Sequence, residues 1–269
     1  MVSLLKAIVL GTIQGLTEFL PVSSSGHLVI FSHLLQFRDA GLMFDVFMHF
    51  GTLLSIFVMF RKELLEMIVS PFALLKGNAT ETNRYYWRWD LYVILASIPA
   101  AVIGLYFEDQ IEQVFDSVLA ALIFLFITGL MMSSIPFIKN RKKEITGSMS
   151  FIMGIAQAVA FLPGISRSGS SIFAGILSGG NQEKVARFSF IMSIPAVAGA
   201  VVLKAKDLID SSLTSSEFLN IAFGTLFSFT FGCLAIWWLL DFVKKGKIQW
   251  FGYYCLIISV LGLIYFIGF

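Results

Sequence analysis

One short stretch of this sequence carries an unusual density of side chains that could do chemistry. Residues 11–27 read Gly-Thr-Ile-Gln-Gly-Leu-Thr-Glu-Phe-Leu-Pro-Val-Ser-Ser-Ser-Gly-His. Gln14 and Glu18 are four residues apart, which in a helix places both on one face. No basic residue lies within a turn of Glu18, and this disfavours the structural alternative, a carboxylate that caps a helix or pairs with a lysine. We interpret Glu18 as a base or a metal ligand, and Gln14 as a donor or acceptor of neutral hydrogen bonds.

The residues after Pro21 are suited to binding an anion. They are Ser23, Ser24, Ser25 and Gly26. A helix is predicted to restart near His27, and hydroxyls with free backbone N–H groups at a helix N-terminus form a cradle for phosphate. Plain helix capping is the alternative for the serines. The imidazole of His27 suits proton transfer near neutral pH, with hydrogen-bonded packing as its alternative.

A second stretch repeats this plan and adds a positive charge. Residues 154–171 read Gly-Ile-Ala-Gln-Ala-Val-Ala-Phe-Leu-Pro-Gly-Ile-Ser-Arg-Ser-Gly-Ser-Ser. Arg167 suits a planar, bidentate contact with phosphate, and a guanidinium in an apolar segment is costly unless it pairs with an anion. A buried ion pair with Glu18 is the alternative, and a ligand phosphate could bridge or displace that pair. Further phosphate-binding candidates in this stretch are Ser166, Ser168 and Gly169.

Three other polar residues are interpreted as structural. His33 is interpreted as interfacial, and Arg187 as an interfacial anchor. His49 is interpreted as a helix-packing residue, with lining of the cavity as its alternative.

The composition indicates an integral membrane protein. Of the 269 residues, 57% are hydrophobic and 13% are charged, whereas soluble domains carry roughly 25% charged residues. The net charge of +2 gives no reason to expect a nucleic-acid partner. The two cysteines lie inside apolar runs and are interpreted as packing residues without redox chemistry.

The chain is predicted to be all-α, with six transmembrane helices and two re-entrant helix-loop-helix hairpins. The predicted spans cover residues 44–60, 91–107, 117–138, 185–203, 218–240 and 250–268. The hairpins cover residues 1–37 and 148–180, each interrupted by a proline and a Ser/Gly cluster. Irregular backbone at membrane depth is tolerated only where it is buried in protein or lines a wet cavity.

The loop charges predict the orientation. Basic residues place the loops at 61–89 and 139–147 and the last loop inside, while the acidic connection at 108–116 and the mixed connection at 204–217 lie outside. Both termini are then outside, the first hairpin enters from outside, and the second enters from inside. The cavity is expected to open toward the periplasmic or external face.

An internal repeat supports this arrangement. A shift of 143 residues lays Gly11 and Gln14 on their counterparts Gly154 and Gln157, and lays the Ser-x-Ser-Gly run at 23–26 on the run at 166–169. One membrane domain, 1–269, is predicted to hold an inverted-topology repeat, with halves at about 1–138 and 148–268 and a basic linker at 139–147. The two broken tips should meet near the midplane.

These residues together predict an anion site inside a bilayer. A lipid-linked phosphate ester or diphosphate fits it best, and hydrolysis needs charge neutralisation and an in-line nucleophile. A transporter or flippase is the alternative, because inverted repeats with broken helices are common in transporters. His27 beside Glu18 forms a proton-handling pair that a pure carrier does not require, and this favours the enzyme over the transporter. An inactive structural subunit is the third possibility, and it would need these polar groups to be retained for packing alone.

The chain resembles the undecaprenyl-diphosphate phosphatase family associated with bacitracin resistance. The resemblance rests on Gln14-Gly-Leu-Thr-Glu-Phe-Leu-Pro-Val-Ser-Ser-Ser-Gly-His27, which matches the family's (Glu/Gln)-x-x-x-Glu and Pro-x-Ser-Ser-x-Gly-His patterns. It also rests on Pro163-Gly-Ile-Ser-Arg-Ser-Gly-Ser, which matches the pattern Pro-Gly-x-Ser-Arg-Ser-Gly.

The resemblance implies a hydrolase that converts undecaprenyl diphosphate to undecaprenyl phosphate, recycling the carrier lipid for cell-wall synthesis in the bacterial inner membrane. It assigns function to Glu18, His27, Ser24 and Arg167. Our own mechanistic hypothesis is that Ser24, or a water, attacks the phosphate. The resemblance also implies a divalent cation, Mg²⁺ or Ca²⁺, with Glu18 as its one nearby carboxylate, and a possible homodimer.

Overall fold

The fold is described from a computed structural model that defines residues 4–34, 42–107, 117–139, 142–206 and 214–268. Those residues form α-helices and one short 3₁₀ helix, Ile135–Phe137. In chain order the α-helices are α1 Leu4–Phe19, α2 Ser24–Leu34, α3 Leu42–Met59, α4 Arg61–Leu75, α5 Glu81–Tyr106, α6 Val118–Ser134, α7 Gly147–Val159, α8 Arg167–Leu177, α9 Gln182–Met192, α10 Ile194–Lys206, α11 Ser215–Lys244 and α12 Gln249–Gly268. The all-α prediction is confirmed.

Much of the surface consists of large apolar side chains, as a lipid environment requires. Leu105 is 68% exposed and Ile264 is 64% exposed. Within the described ranges, five segments are long and apolar enough to cross a membrane. They are Glu81–Tyr106, Val118–Phe137, Gln182–Val202, Ser215–Lys244 and Gln249–Phe266. The predicted span at 44–60 corresponds to α3, whose Val46–Met59 part ranks among the shorter apolar helices. The chain is a multi-pass membrane protein.

Both predicted helical interruptions are present. The first hairpin consists of α1 and α2, which break at residues 20–23. The second consists of α7 and α8, which break at residues 160–166. In each break the chain turns at a proline, where helical hydrogen bonding cannot continue.

The prediction of a loop at 61–89 is wrong. Most of it is helical, because α4 places Met67 and Ser70 on a buried face and α5 begins ten residues earlier than predicted. Thr80 starts α5 with a capping box to Asn83. The predicted span at 185–203 lies within the candidate span Gln182–Val202. Its helix is interrupted at Ser193, two residues before a proline, and this divides it into α9 and α10. Short amphipathic helices rich in charge resemble loops in a hydropathy reading.

The two halves pack reciprocally. In the first half, α1 packs along α11 of the second, and in the second half α7 packs along α5 of the first. The matched glycines make both contacts: Gly11 lies against the backbone of Gly224, and Gly154 lies against the backbone of Ala96. Glycine lets membrane helices approach closely, so each hairpin is fixed by the long helix of the other half.

Candidate active site at the two hairpin tips

Each hairpin tip is capped by a serine at the equivalent position. Ser23 Oγ accepts a hydrogen bond from Gly26 N at 3.2 Å, and Ser166 Oγ accepts one from Gly169 N at 3.1 Å. The capping alternative therefore holds for these two serines. Ser23 also adopts φ of +67°, an uncommon backbone conformation for a residue other than glycine. The caps leave both helix N-termini, α2 and α8, directed at the same region.

The two tips touch each other, as the repeat predicted. Ser168 Oγ donates to the carbonyl of Leu20 at 3.2 Å, and Ser23 Oγ donates to the carbonyl of Ile165 at 3.4 Å. A Cβ on Gly26 would lie 2.9 Å from Gly164 Cα, so only glycine permits this approach. The remaining predicted binding residue, Ser25, has its Oγ 3.2 Å from that of Ser23.

The helix α6 holds the second tip from outside the hairpin. Thr128 Oγ1 donates to the carbonyl of Gly164 at 2.8 Å and accepts from Ser166 N at 3.0 Å. Thr128 is fully buried. Because one hydroxyl satisfies two backbone groups of the irregular segment, Thr128 fixes the backbone that leads into Arg167.

Glu18 lies where the two halves meet and is almost fully buried. Arg167 Nη2 donates to Glu18 Oε1 at 2.6 Å. Ser24 Oγ donates to Glu18 Oε2 at 2.7 Å, and Gln14 Nε2 donates to the same oxygen at 3.0 Å. Ser24 is the first residue of α2 and Arg167 the first of α8, so the carboxylate accepts hydrogen bonds at two helix N-termini. Partial positive charge at both ends makes this region favourable for an anion.

Two buried polar atoms beside Glu18 have no hydrogen-bond partner among the described residues. They are Arg167 Nη1, a donor, and Gln14 Oε1, an acceptor. A buried polar group without a partner is costly, so such atoms commonly mark the position of a ligand, ion or water. Arg167 Nη1 can therefore donate to a bound anion, and Gln14 Oε1 can bind a cation or accept a hydrogen bond.

His27, expected beside Glu18 as a proton-handling group, makes the hydrogen bonds of its ring with other residues. Its Nδ1 lies 2.9 Å from the carbonyl oxygen of Ser23, and its Nε2 lies 2.8 Å from the hydroxyl of Tyr254 on α12. Both ring nitrogens are therefore engaged away from the carboxylate. The pairing was expected because the sequence places His27 nine residues after Glu18, but the helix direction after the break turns the ring toward α12.

The sequence analysis did not assign two further residues near the site, Tyr254 and His49, to it. Tyr254 carried no signal, since it is one of several aromatic residues in an apolar helix. His49 of α3 belongs to the electrostatic surroundings of Glu18. The side chain of His33 lies outside the described residues. Arg187 joins Glu63 at 2.8 Å and Glu183 at 3.1 Å, so it links α4 to α9 rather than serving only as an anchor.

A cation would find few protein ligands here. The described residues contain no group of three or more His, Cys, Asp or Glu side chains placed to hold a metal ion. Glu18 Oε2 and the unpartnered Gln14 Oε1 are oxygen donors, which suit Mg²⁺ or Ca²⁺. Two protein oxygens fit Mg²⁺ better, because it commonly keeps waters and takes substrate phosphate oxygens, whereas Ca²⁺ takes six to eight ligands.

Comparison with known proteins finds relatives over nearly the whole chain. Undecaprenyl-diphosphatase from Christiangramia forsetii is 40% identical over 265 residues, covering 96% of this chain and 97% of that protein. Undecaprenyl-diphosphatase from Methanobrevibacter smithii is 39% identical, covering 98% and 97%. The protein of the same name from Alkaliphilus metalliredigens is 39% identical, covering 93% and 94%. The family described as bacitracin resistance protein BacA matches residues 7–261. The chain belongs to the bacitracin resistance protein BacA family.

Proposed function

We propose that this protein hydrolyses undecaprenyl diphosphate to undecaprenyl phosphate and inorganic phosphate. The names of its relatives support the activity. The observation that carries the proposal is the contact between Arg167 and Glu18, which joins the two broken hairpins inside an apolar protein and leaves Arg167 Nη1 free. A diphosphate on a lipid is an anion that resides in the membrane and needs such a site.

The terminal phosphate binds at the two helix N-termini. Arg167 Nη1 donates to a phosphate oxygen, since it is a buried donor without another partner. Hydroxyls and backbone N–H groups of the tips provide further donors. The candidates are Ser23, Ser25, Gly26, Ser166, Ser168 and Gly169, with Gln14 on the carboxylate side. Ser23 and Ser166 act chiefly by capping their helices.

Ser24 attacks phosphorus, and Glu18 receives its proton. The 2.7 Å hydrogen bond from Ser24 to Glu18 supports this pairing of nucleophile and base. The Ser24 Oγ–P bond forms as the bond from phosphorus to the bridging oxygen breaks, and undecaprenyl phosphate leaves. Water then cleaves the phosphoserine to release inorganic phosphate. Direct attack by a water, with Ser24 as a hydrogen-bond donor, is the competing mechanism, and His27 is the second proton-handling group.

A divalent cation bound by Glu18 and Gln14 would neutralise charge on the diphosphate oxygens. Gln14 Oε1 supports this assignment, because it is a buried oxygen without a hydrogen-bond partner in the described chain. The neutral carboxamide contributes no charge, so the substrate oxygens would complete much of the shell. The assignment implies that activity falls on chelation and recovers with Mg²⁺.

We propose that the protein lies in the bacterial inner membrane with both termini outside and the site open to the external face. Six spans with two re-entrant hairpins fit the loop charges, with the loop at 139–147 and the three lysines at the end of α11 and just after it inside. Reporter fusions test this: a fusion at the C-terminus should be active only when exported. A cytoplasmic C-terminus would contradict the orientation without affecting the chemistry.

Phosphate release by the purified protein tests the activity. We expect inorganic phosphate from undecaprenyl diphosphate with the wild type and none with Arg167→Ala, while Ser133→Ala, altered at an exposed serine on α6, keeps the wild-type rate. Movement of the intact lipid between vesicle leaflets without phosphate release would instead support the transporter alternative. Mass spectrometry of a quenched reaction should detect phosphate on Ser24. Normal turnover by Ser24→Ala would favour attack by water.

A further inference from the structure

Tyr254 is bound to the imidazole of His27 in a way that the reaction outlined above does not use. Its hydroxyl lies 2.8 Å from His27 Nε2, and its ring stacks on the imidazole with a centroid distance of 5.6 Å and an interplanar angle of 9°. The two residues are 227 positions apart in the chain. A polar contact combined with a ring stack restrains both the position and the rotation of the imidazole.

The other ring nitrogen determines the proton arrangement. His27 Nδ1 is 2.9 Å from the carbonyl oxygen of Ser23, which can only accept a hydrogen bond. In the neutral imidazole the proton must therefore be on Nδ1, and Nε2 carries the lone pair. The Tyr254 hydroxyl then donates to Nε2, since it is the available donor in that contact.

The helix that carries Tyr254 is firmly held. Next to it, Cys255 is buried and its Sγ lies 3.8 Å from the carbonyl oxygen of Pro21 in the first break. Two residues earlier, Gly252 packs against α6, where an added Cβ would lie 2.8 Å from the carbonyl oxygen of Gly129. The same helix thus meets the first tip and rests on α6, which holds the second tip.

The burial of the two partners differs. His27 is 2% exposed, whereas Tyr254 is 41% exposed. A buried imidazole with both nitrogens engaged has no freedom to choose its tautomer: the Ser23 carbonyl sets the proton on Nδ1, and the tyrosine hydroxyl donates to the lone pair on Nε2. Without that hydroxyl, Nε2 would lose its donor and the ring would lose its polar restraint from α12.

We propose that Tyr254 is a positioning residue for the phosphatase reaction: it holds the imidazole of His27, in the Nδ1–H tautomer that the Ser23 carbonyl requires, with the basic Nε2 toward α12. This inference rests on the proposed function for its kinetic consequence only. Tyr254 acts through His27 and binds no substrate. Its hydroxyl is needed for turnover and is dispensable for binding.

Nitrogen NMR tests the tautomer on the unmodified protein. The chain has three histidines, so ¹⁵N-histidine labelling gives three ring systems, and His27→Gln identifies the relevant one. We expect the Nδ1–H tautomer for His27 in the wild type and in Tyr254→Phe, with a changed Nε2 chemical shift in the variant, which keeps the ring stack and removes the hydroxyl. An Nε2–H tautomer in the wild type, or an unchanged Nε2 chemical shift in Tyr254→Phe, would overturn the proposal.

Kinetics provide the second readout, with Tyr253→Phe as the matched control on the same helix. Because a general base contributes about 10²–10⁴-fold to rate, we expect Tyr254→Phe to lower kcat about 10-fold or more with KM unchanged. Tyr253→Phe should match the wild type, since the ring of Tyr253 packs edge-to-face with Trp250. Equal kcat for the two variants, or a change confined to KM, would contradict the positioning role. If the wild type releases no phosphate, the proposed function fails while the NMR result still decides the tautomer.

Discussion

The ion pair between Glu18 and Arg167 should be strongly coupled to the stability of the protein. The two side chains are only 8% and 15% exposed, and each belongs to a different hairpin. Arg167→Met removes the charged donor of Glu18 and leaves its carboxylate with the two neutral donors Ser24 and Gln14. Breaking a buried pair on one side costs about 3–5 kcal/mol, because the remaining charge is desolvated and unpaired.

The size of the effect can be measured as a thermal shift in detergent. At about 2–4 °C per kcal/mol for a chain of this size, Arg167→Met should lower the midpoint by about 6–20 °C. Glu18→Gln should also destabilise, and the double variant should be more stable than the sum of the two losses predicts. We expect a coupling free energy of at least about 2 kcal/mol from this double-mutant cycle.

An exposed pair provides the control for the cycle. Lys245 and Asp241 are 2.6 Å apart at i and i+4, with side chains 58% and 35% exposed. Their coupling should stay below about 1 kcal/mol, as surface pairs do. If the Glu18–Arg167 cycle is additive to within about 0.5 kcal/mol, the two halves are not held by this contact and the reasoning is refuted.

Three further changes test the parts of the site separately. Ser24→Ala should lower kcat at least about 100-fold in a phosphate-release assay, since it removes the proposed nucleophile; a loss below twofold, equal to that of Ser133→Ala, would count against covalent catalysis. Gly154→Val should prevent α7 from packing on α5 and lower the yield of monodisperse protein, whereas Gly199→Ala, which meets no atom within 4 Å, should be tolerated; equal behaviour in size-exclusion chromatography would contradict the close-approach argument. Thr128→Val leaves two backbone groups of the second tip without a hydrogen bond, and each should lower the free energy of unfolding by about 1–3 kcal/mol, measured as a lower thermal midpoint. An unchanged midpoint would show that the hydrogen bonds of Thr128 are not needed.

Local signals in the sequence were sufficient to predict the broken helices. A proline followed by serines and glycines disrupts helical hydrogen bonding wherever it occurs, so both breaks could be located without knowledge of the partner segments. The contact between Glu18 and Arg167 was also predictable, because the repeat relates the two tips and opposite charges in an apolar protein need one another.

The rest depended on tertiary contacts that no local pattern encodes. Tyr254 lies 227 residues from His27, and nothing in its neighbourhood distinguishes it from other aromatic residues of apolar helices. The helix α4 was missed because its charged face resembles a loop in a hydropathy reading, although Met67 packs inward. The direction of the His27 ring follows from the backbone at Ser23, whose positive φ has no signal in a serine run.

The central claim is that Arg167 binds the phosphate while it is held by Glu18. Phosphate release from undecaprenyl diphosphate by wild type, Arg167→Ala and Arg167→Lys tests this most directly. Loss of a charged donor to the reacting group costs about 10²–10³-fold, so we expect kcat/KM to fall by at least that factor in Arg167→Ala. Arg167→Lys should restore only part of this activity, because an ammonium cannot direct separate N–H groups at Glu18 and at the phosphate as the planar guanidinium does. Turnover by Arg167→Ala within a few fold of the wild type would contradict the account.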